Sequence, residues 1–178
     1  MHYPIPTTLC LTLTFAACGS PTASTATTPT LAQLQATQVR NLAMPQPNLV
    51  TSGQPTEAQL EQLAQLGVRR VIQLRTSTES GTGWEEAKAK ALGIEFVRLP
   101  VAGGDAITVA NAQALATWLA ASGGKPTLVC CASSNRVGAL LAMKAFHVDG
   151  KPAEEALAFG RAGGLKALEP TVAEKLRR

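Results

Sequence analysis

From Asn48 onward the chain alternates short apolar runs with longer stretches whose apolar residues recur every three or four positions. The runs Asn48–Gln54, Val68–Arg75, Ile94–Leu99 and Pro126–Cys131 are brief, rich in Val, Ile and Leu, and bounded by turn residues. Each predicts a buried strand. Between them, Pro55-Thr56-Glu57 opens a helix with Leu60, Leu63, Ala64 and Leu66 on one face and a stop at Gly67. The same reading gives helices over Trp84–Leu92, Thr108–Ala121 and Val137–His147, then two short ones over Pro152–Phe159 and Glu169–Leu176. Strands separated by helices need crossover connections, which predicts an α/β fold: a mainly parallel sheet of four to five strands, covered by helices on both faces in three layers. Ligands of such sheets sit beyond the C-terminal ends of the strands.

The last strand ends on a candidate for chemistry. Pro126-Thr127-Leu128-Val129-Cys130-Cys131-Ala132-Ser133-Ser134-Asn135-Arg136-Val137-Gly138-Ala139 reads as a strand, a tight loop and a helix. A loop entering a helix N-terminus points unpaired backbone N–H groups inward, and the helix dipole adds positive charge there. That environment holds an oxyanion and favours a thiolate. Arg136 adds a planar fork able to hold two oxygens at once. Two registers stay open: Cys131 to Arg136 encloses four residues, and Cys130 to Arg136 encloses five.

Composition narrows the rest. Aliphatic residues dominate, with 46% hydrophobic but 4% aromatic residues, as in helices packed on a small sheet. The net charge of +4 is small and scattered, which fits anionic small molecules or a membrane surface and argues against nucleic acid as a partner. No Lys, Arg, Asp or Glu precedes Arg40. Residues 1–17 read as a signal peptide, with an apolar run from Thr7 to Ala17 too short to span a bilayer. Phe15-Ala16-Ala17-Cys18-Gly19 resembles a bacterial lipobox, which makes Cys18 the expected lipidation site; Phe15 in place of Leu and the absence of Lys or Arg from Met1–Pro6 depart from that pattern. Residues 18–40, rich in Thr, Ala and Ser, are expected to form a disordered tether before a domain over 41–178. The protein is thus expected to be exported to the periplasm or cell envelope and to meet the membrane only through a lipid anchor. Cys130 and Cys131 then remain as the cysteines of the folded domain, and adjacent residues do not make a disulfide framework. With His147 they match no zinc spacing, so no metal is expected.

Across the whole domain the chain resembles the compact bacterial phosphatases of the dual-specificity, tyrosine-phosphatase-like superfamily. The residues that carry the resemblance are Thr51-Ser52-Gly53-Gln54-Pro55, Val71-Ile72-Gln73-Leu74-Arg75, Gly93-Ile94-Glu95-Phe96-Val97, Pro100-Val101, Cys131 through Ala139, and Gly160-Arg161-Ala162-Gly163-Gly164-Leu165. The family signature, His-Cys-x-x-Gly-x-Arg, lays its nucleophile on Cys131 and its phosphate clamp on Arg136, with Ala132, Ser133, Ser134, Asn135 and Arg136 forming the phosphate-binding loop. Cys130 stands at the family His and Ser134 at the family Gly. The resemblance implies a cysteine-dependent phosphatase that needs no cofactor, forms a cysteinyl phosphate and acts on phosphotyrosine or small phosphoesters, its partner being a phosphorylated protein or a small phosphoester. It also implies a general acid on an upstream mobile loop. Asp105 is the candidate, and a place in the capping region of the following helix is its alternative.

Two further readings accompany this one. The departures at 130 and 134 fit a weakly active phosphatase-like module that binds an anionic ligand or a partner protein. A rhodanese-like sulfurtransferase also closes a cysteine loop with arginine after four residues, against which stand the Ser52–Pro55 and Gly160–Leu165 matches. Arg75 reads first as a solvated or ion-paired arginine and second as a substrate contact. Glu79 and Ser52 are lesser candidates, and His147 reads as structural.

Overall fold

The computed structural model describes residues 1–2 and 28–177. The expected signal segment, Cys18 and the first part of the tether therefore lie, apart from residues 1–2, outside the described residues. The order of elements is α1 (Leu31–Gln35), β1 (Ala43–Gln46), β2 (Leu49–Ser52), α2 (Glu57–Gln65), β3 (Arg70–Gln73), α3 (Glu85–Ala91), β4 (Glu95–Arg98), α4 (Val109–Ala120), β5 (Thr127–Cys130), α5 (Asn135–His147), α6 (Ala153–Ala162) and α7 (Glu169–Lys175). Among the described residues no helix is long and apolar enough to cross a membrane.

The five strands lie in the order β1-β2-β5-β3-β4. Only β1 runs antiparallel; β2, β5, β3 and β4 are parallel, as right-handed crossovers demand. Successive side chains of a strand face opposite ways, so the sheet divides the apolar residues into two cores. Val50, Val71, Leu128 and Cys130 pack with Leu34 of α1, Leu60 and Leu63 of α2 and Ala89 of α3. Leu49, Ile72, Val129 and Cys131 pack on the other face with α4, α5, α6 and α7. The three-layer α/β expectation is the architecture found.

Two elements were not foreseen. The tether expected over 18–40 gives way within its last residues to α1, where Thr30 and Gln33 form a reciprocal capping box and Leu34 is fully buried. β1 adds an antiparallel edge, and its Pro45 is tolerated there because an edge strand has an unpaired side.

One close approach locks the architecture behind the site. A Cβ on Gly138 of α5 would lie 2.1 Å from the backbone nitrogen of Leu165 and 2.5 Å from the carbonyl oxygen of Gly160. α5 and α6 thus cross backbone to backbone, and only glycine fits.

Candidate active site

The parallel registers align Ser52 with Cys130, Cys130 with Gln73, and Gln73 with Arg98, so four strands end in one row. β5 is the central strand of the sheet, and residues 131–134 connect it to α5. Its alternation continues into the loop and sends the adjacent thiols to opposite faces. Both are buried. Burial pushes the Cys130 thiol far above its ordinary value, and Cys131 and Glu85 add to the rise. A thiol in that state stays protonated and behaves as a small hydrophobe of the core.

Cys131 faces Arg136. The guanidinium is held charged first by its hydrogen bond to Glu79, against the effect of burial, and further by charge and hydrogen-bond interaction with Cys131. Of the two registers, the geometry pairs Arg136 with Cys131. The clamp on the arginine is specific: Nη1 donates to Glu79 Oε1 at 2.7 Å and to the Val101 carbonyl at 2.7 Å, while Nη2 donates to Glu79 Oε2 at 2.7 Å. These bonds engage the end of the guanidinium. The side edge, made of Nε–H and the second Nη2–H, has no oxygen acceptor among the described residues and is left to Cys131.

Glu79 is the residue that sequence reasoning ranked too low. It lies 57 positions from Arg136, in a Thr- and Ser-rich loop with nothing to distinguish it from a solvated carboxylate. Its carboxylate accepts from Arg75 Nε at 3.0 Å and from the Thr76 backbone N–H at 2.9 Å besides Arg136. The Arg136 hydrogen bond is the main reason its pKa falls from 4.5 to about 2. Arg75 is accordingly the ion-paired arginine, and its Nη2 also donates to the Ser80 carbonyl at 2.5 Å. Behind this pair lies a buried polar layer. Gln73 Nε2 donates to Gln54 Oε1 at 2.8 Å, Gln54 Nε2 to Glu85 Oε1 at 3.1 Å, and Arg98 Nη2 to Glu85 Oε2 at 3.3 Å. Burial alone would raise the Glu85 carboxyl, but the backbone N–H groups of Glu85 and Gly83, with Gln54 and Arg98, lower it.

The loop itself is open on one side. Ala132 is exposed, Ser133, Asn135 and Arg136 are half-buried, and Ser134 is fully buried. Ser134 therefore lines the concavity with backbone and not with its hydroxyl, which donates to the Gly163 carbonyl at 2.9 Å. Its φ of 68° is left-handed, and the helix N-terminus has no side-chain cap. The backbone N–H groups of Asn135, Arg136 and Val137 consequently take no protein acceptor among the described residues. They are unpaired donors at the place where the sequence reading expects an anion. Two flanking segments grip the loop: Asn41 Nδ2 donates to the Ser133 carbonyl at 2.9 Å, and Asn135 Oδ1 accepts from the Lys166 N–H at 2.8 Å.

Asp105 lies exposed in the turn over residues 103–106. It does not cap the following helix, because Thr108 is the N-cap and accepts from the Asn111 N–H at 3.2 Å. The loop that carries it starts at Val101, whose carbonyl holds Arg136. Ser52 is buried, with its hydroxyl donating to the Gly53 carbonyl at 2.7 Å and its own carbonyl accepting from the Cys131 N–H. His147 ends α5, at the opposite end from the loop, in edge-to-face contact with Phe146. Among the described residues no group of three or more His, Cys, Asp or Glu side chains is placed to hold a metal.

The chain has relatives among known proteins. Residues 25–166 match the family model described as DSP-PTPase phosphatase fused to NAD+ kinase. No curated protein matches the chain. Among solved structures, a DUF442 protein of Shewanella putrefaciens CN-32 classed as a phosphatase is 21% identical with a TM-score of 0.65, over 83% of this chain and 96% of that one. A phosphatase-classed protein of Neisseria meningitidis z2491 is 23% identical with a TM-score of 0.62, over 76% of this chain and 95% of that one. TpbA of P. aeruginosa, solved as a cysteine-to-serine variant with pTyr, is 21% identical with a TM-score of 0.61, over 79% of this chain and 85% of that one. These likenesses establish the shared fold, and the match over residues 25–166 establishes kinship: the chain belongs to the family of dual-specificity and tyrosine-phosphatase-like phosphatases.

Proposed function

We propose that this protein is a cysteine-dependent phosphomonoester hydrolase in which Cys131 is the nucleophile, Arg136 the phosphate clamp and Asp105 the general acid. The observation that carries the reading is the Arg136 fork: its end is fixed by Glu79 and Val101 while its side edge stays available beside Cys131. Phosphate oxygens would take that edge together with the backbone N–H groups of the loop. The Cys131 thiolate attacks phosphorus, the S–P bond forms, the ester P–O bond breaks, and the leaving oxygen takes the Asp105 proton. Water then attacks the cysteinyl phosphate, the S–P bond breaks, Asp105 recovers a proton, and thiolate and inorganic phosphate are released. Positive charge at the mouth favours anionic substrates. Lys166 and Arg40 are exposed, and the Arg40 carbonyl is tied to the Gly53 N–H beside the loop.

The test is hydrolysis of an aryl phosphate by the reduced protein, with vanadate as competitor. Cys131→Ser should abolish turnover, since no base is paired with a hydroxyl there. Cys130→Ser should keep most of it. An active Cys131→Ser with a dead Cys130→Ser would move the nucleophile by one residue, and a wild type that binds vanadate without turnover would make the chain an anion-binding module. A substrate panel should span phosphotyrosine peptides, small aliphatic phosphates and a 2′-phosphorylated dinucleotide, the last because the matching family is named for a fusion to NAD+ kinase. Export with lipidation at Cys18 is proposed from the sequence pattern of residues 1–40. It fails if wild type and Cys18→Ala both fractionate wholly as soluble protein.

A further inference from the structure

Serine at the start of a helix ordinarily turns its hydroxyl onto the N–H groups of the first turn. Ser134 does not. It occupies the N-cap position of α5 with a φ of 68°, makes no cap hydrogen bond, and is 0% exposed. Its hydroxyl reaches across to the Gly163 carbonyl at 2.9 Å, in the turn between α6 and α7. That turn is fitted closely to it. A Cβ on Gly164 would stand 2.6 Å from both Cβ and Oγ of Ser134. Asn135 Oδ1, next along, accepts from the N–H groups of Lys166 at 2.8 Å and Leu168 at 3.3 Å.

We infer that Ser134 is a positioning residue of the phosphate loop. Its hydroxyl, tied to Gly163, holds in a serine the left-handed backbone that glycine adopts without cost, and keeps the hydroxyl off the N–H groups that must meet the anion. A left-handed angle disfavours any residue with a Cβ, so an untied residue here would relax and turn the loop's N–H groups away. A hydroxyl turned inward would instead cap those groups and compete with phosphate. The bond to Gly163 prevents both outcomes, and the α6–α7 turn becomes a brace for the site. This inference rests on the phosphatase reading above.

The experiment compares wild type, Ser134→Ala and Ser134→Gly for vanadate inhibition, for kcat and KM with an aryl phosphate, and for thermal midpoint. Ser134→Ala should raise the vanadate inhibition constant and lower kcat/KM by about tenfold, the size of one buried hydrogen bond or one left-handed L-residue. Ser134→Gly should recover most of that loss, because glycine needs no tie. A merely structural role would lower the thermal midpoint in both variants and leave vanadate inhibition of the folded fraction unchanged, which would overturn the inference. So would equal impairment of the two variants. A second arm covers a Ser134→Ala that does not fold: Gly164→Ala, strained in any background by its φ of 102°, should weaken vanadate inhibition in the wild-type background and do so less beside Ser134→Gly, where the side-chain part of the clash is gone. Additive effects would overturn the brace. If wild type neither turns over nor is competed by vanadate, the phosphatase reading fails instead.

Discussion

Replacing Glu79 by glutamine removes one charge and almost no volume, and the structure sets how much that should matter. The carboxylate takes both Nη groups of Arg136 at 2.7 Å and Nε of Arg75 at 3.0 Å. Its pKa falls from 4.5 to about 2, chiefly through the Arg136 hydrogen bond. A carboxyl whose folded-state pKa is depressed contributes stability that is complete above its unfolded pKa and is lost as pH falls toward the folded one. At about 1.4 kcal/mol per pH unit, the gap bounds the contribution at about 3 kcal/mol. Solvent reaches 28% of the Glu79 side chain, and screening brings the expectation to about 1–2 kcal/mol. Glu79→Gln should therefore be less stable than wild type by about 1–2 kcal/mol at pH 7, and the difference should close as pH drops from 4.5 toward 2. Urea unfolding followed by tryptophan fluorescence at a series of pH values measures it. A difference that stays constant down to pH 3 would refute the reasoning, because it would show that shape and not charge was lost.

Arg136→Lys should fold normally, by circular dichroism, yet lose on the order of a hundredfold in kcat/KM, since an ammonium keeps the charge but cannot hold two phosphate oxygens from one edge. Asp105→Asn should lose about a hundredfold with aliphatic phosphates and much less with nitrophenyl phosphate, whose leaving group needs little protonation; equal losses would deny Asp105 the acid role. Gly138→Ala should destabilise by about 3 kcal/mol in urea, because the new methyl meets backbone atoms that no rotamer can move aside.

The parts of the site that were legible in sequence are those that are local. Cys131 and Arg136 sit on one strand-loop-helix unit, and periodicity on either side of it fixes where the loop must fall. What escaped depends on contacts between distant segments. Glu79 comes to Arg136 only because β3 lies beside β5 in the sheet, and nothing within its own loop marks it. Asn41 and Lys166 reach the loop, and Arg40 the neighbouring Gly53, by the same kind of long-range closure. The helix at Leu31–Gln35 carried a visible signal, the Thr30–Gln33 box, but one buried leucine among threonines and alanines gives no period to read. The edge strand was hidden by Pro45, which sequence rules assign to a loop unless an unpaired edge is known to exist.

The grip of Asn41 and Lys166 on either side of the loop over residues 131–135 has a consequence for how this domain can be rearranged. Lys166 Nζ reaches Asn41 Oδ1 at 3.4 Å across a sequence separation of 125 residues, so a single ring of chain closes around the loop. Circular permutation that opened the chain between α6 and α7, or a protease cut there, would leave the strands and the cysteine in place while releasing the brace. Insertions at the exposed Gly123-Gly124 turn lie at the opposite end of β5 and leave the ring intact. The fold thus separates an end at which it can accept new sequence from an end at which every segment must meet.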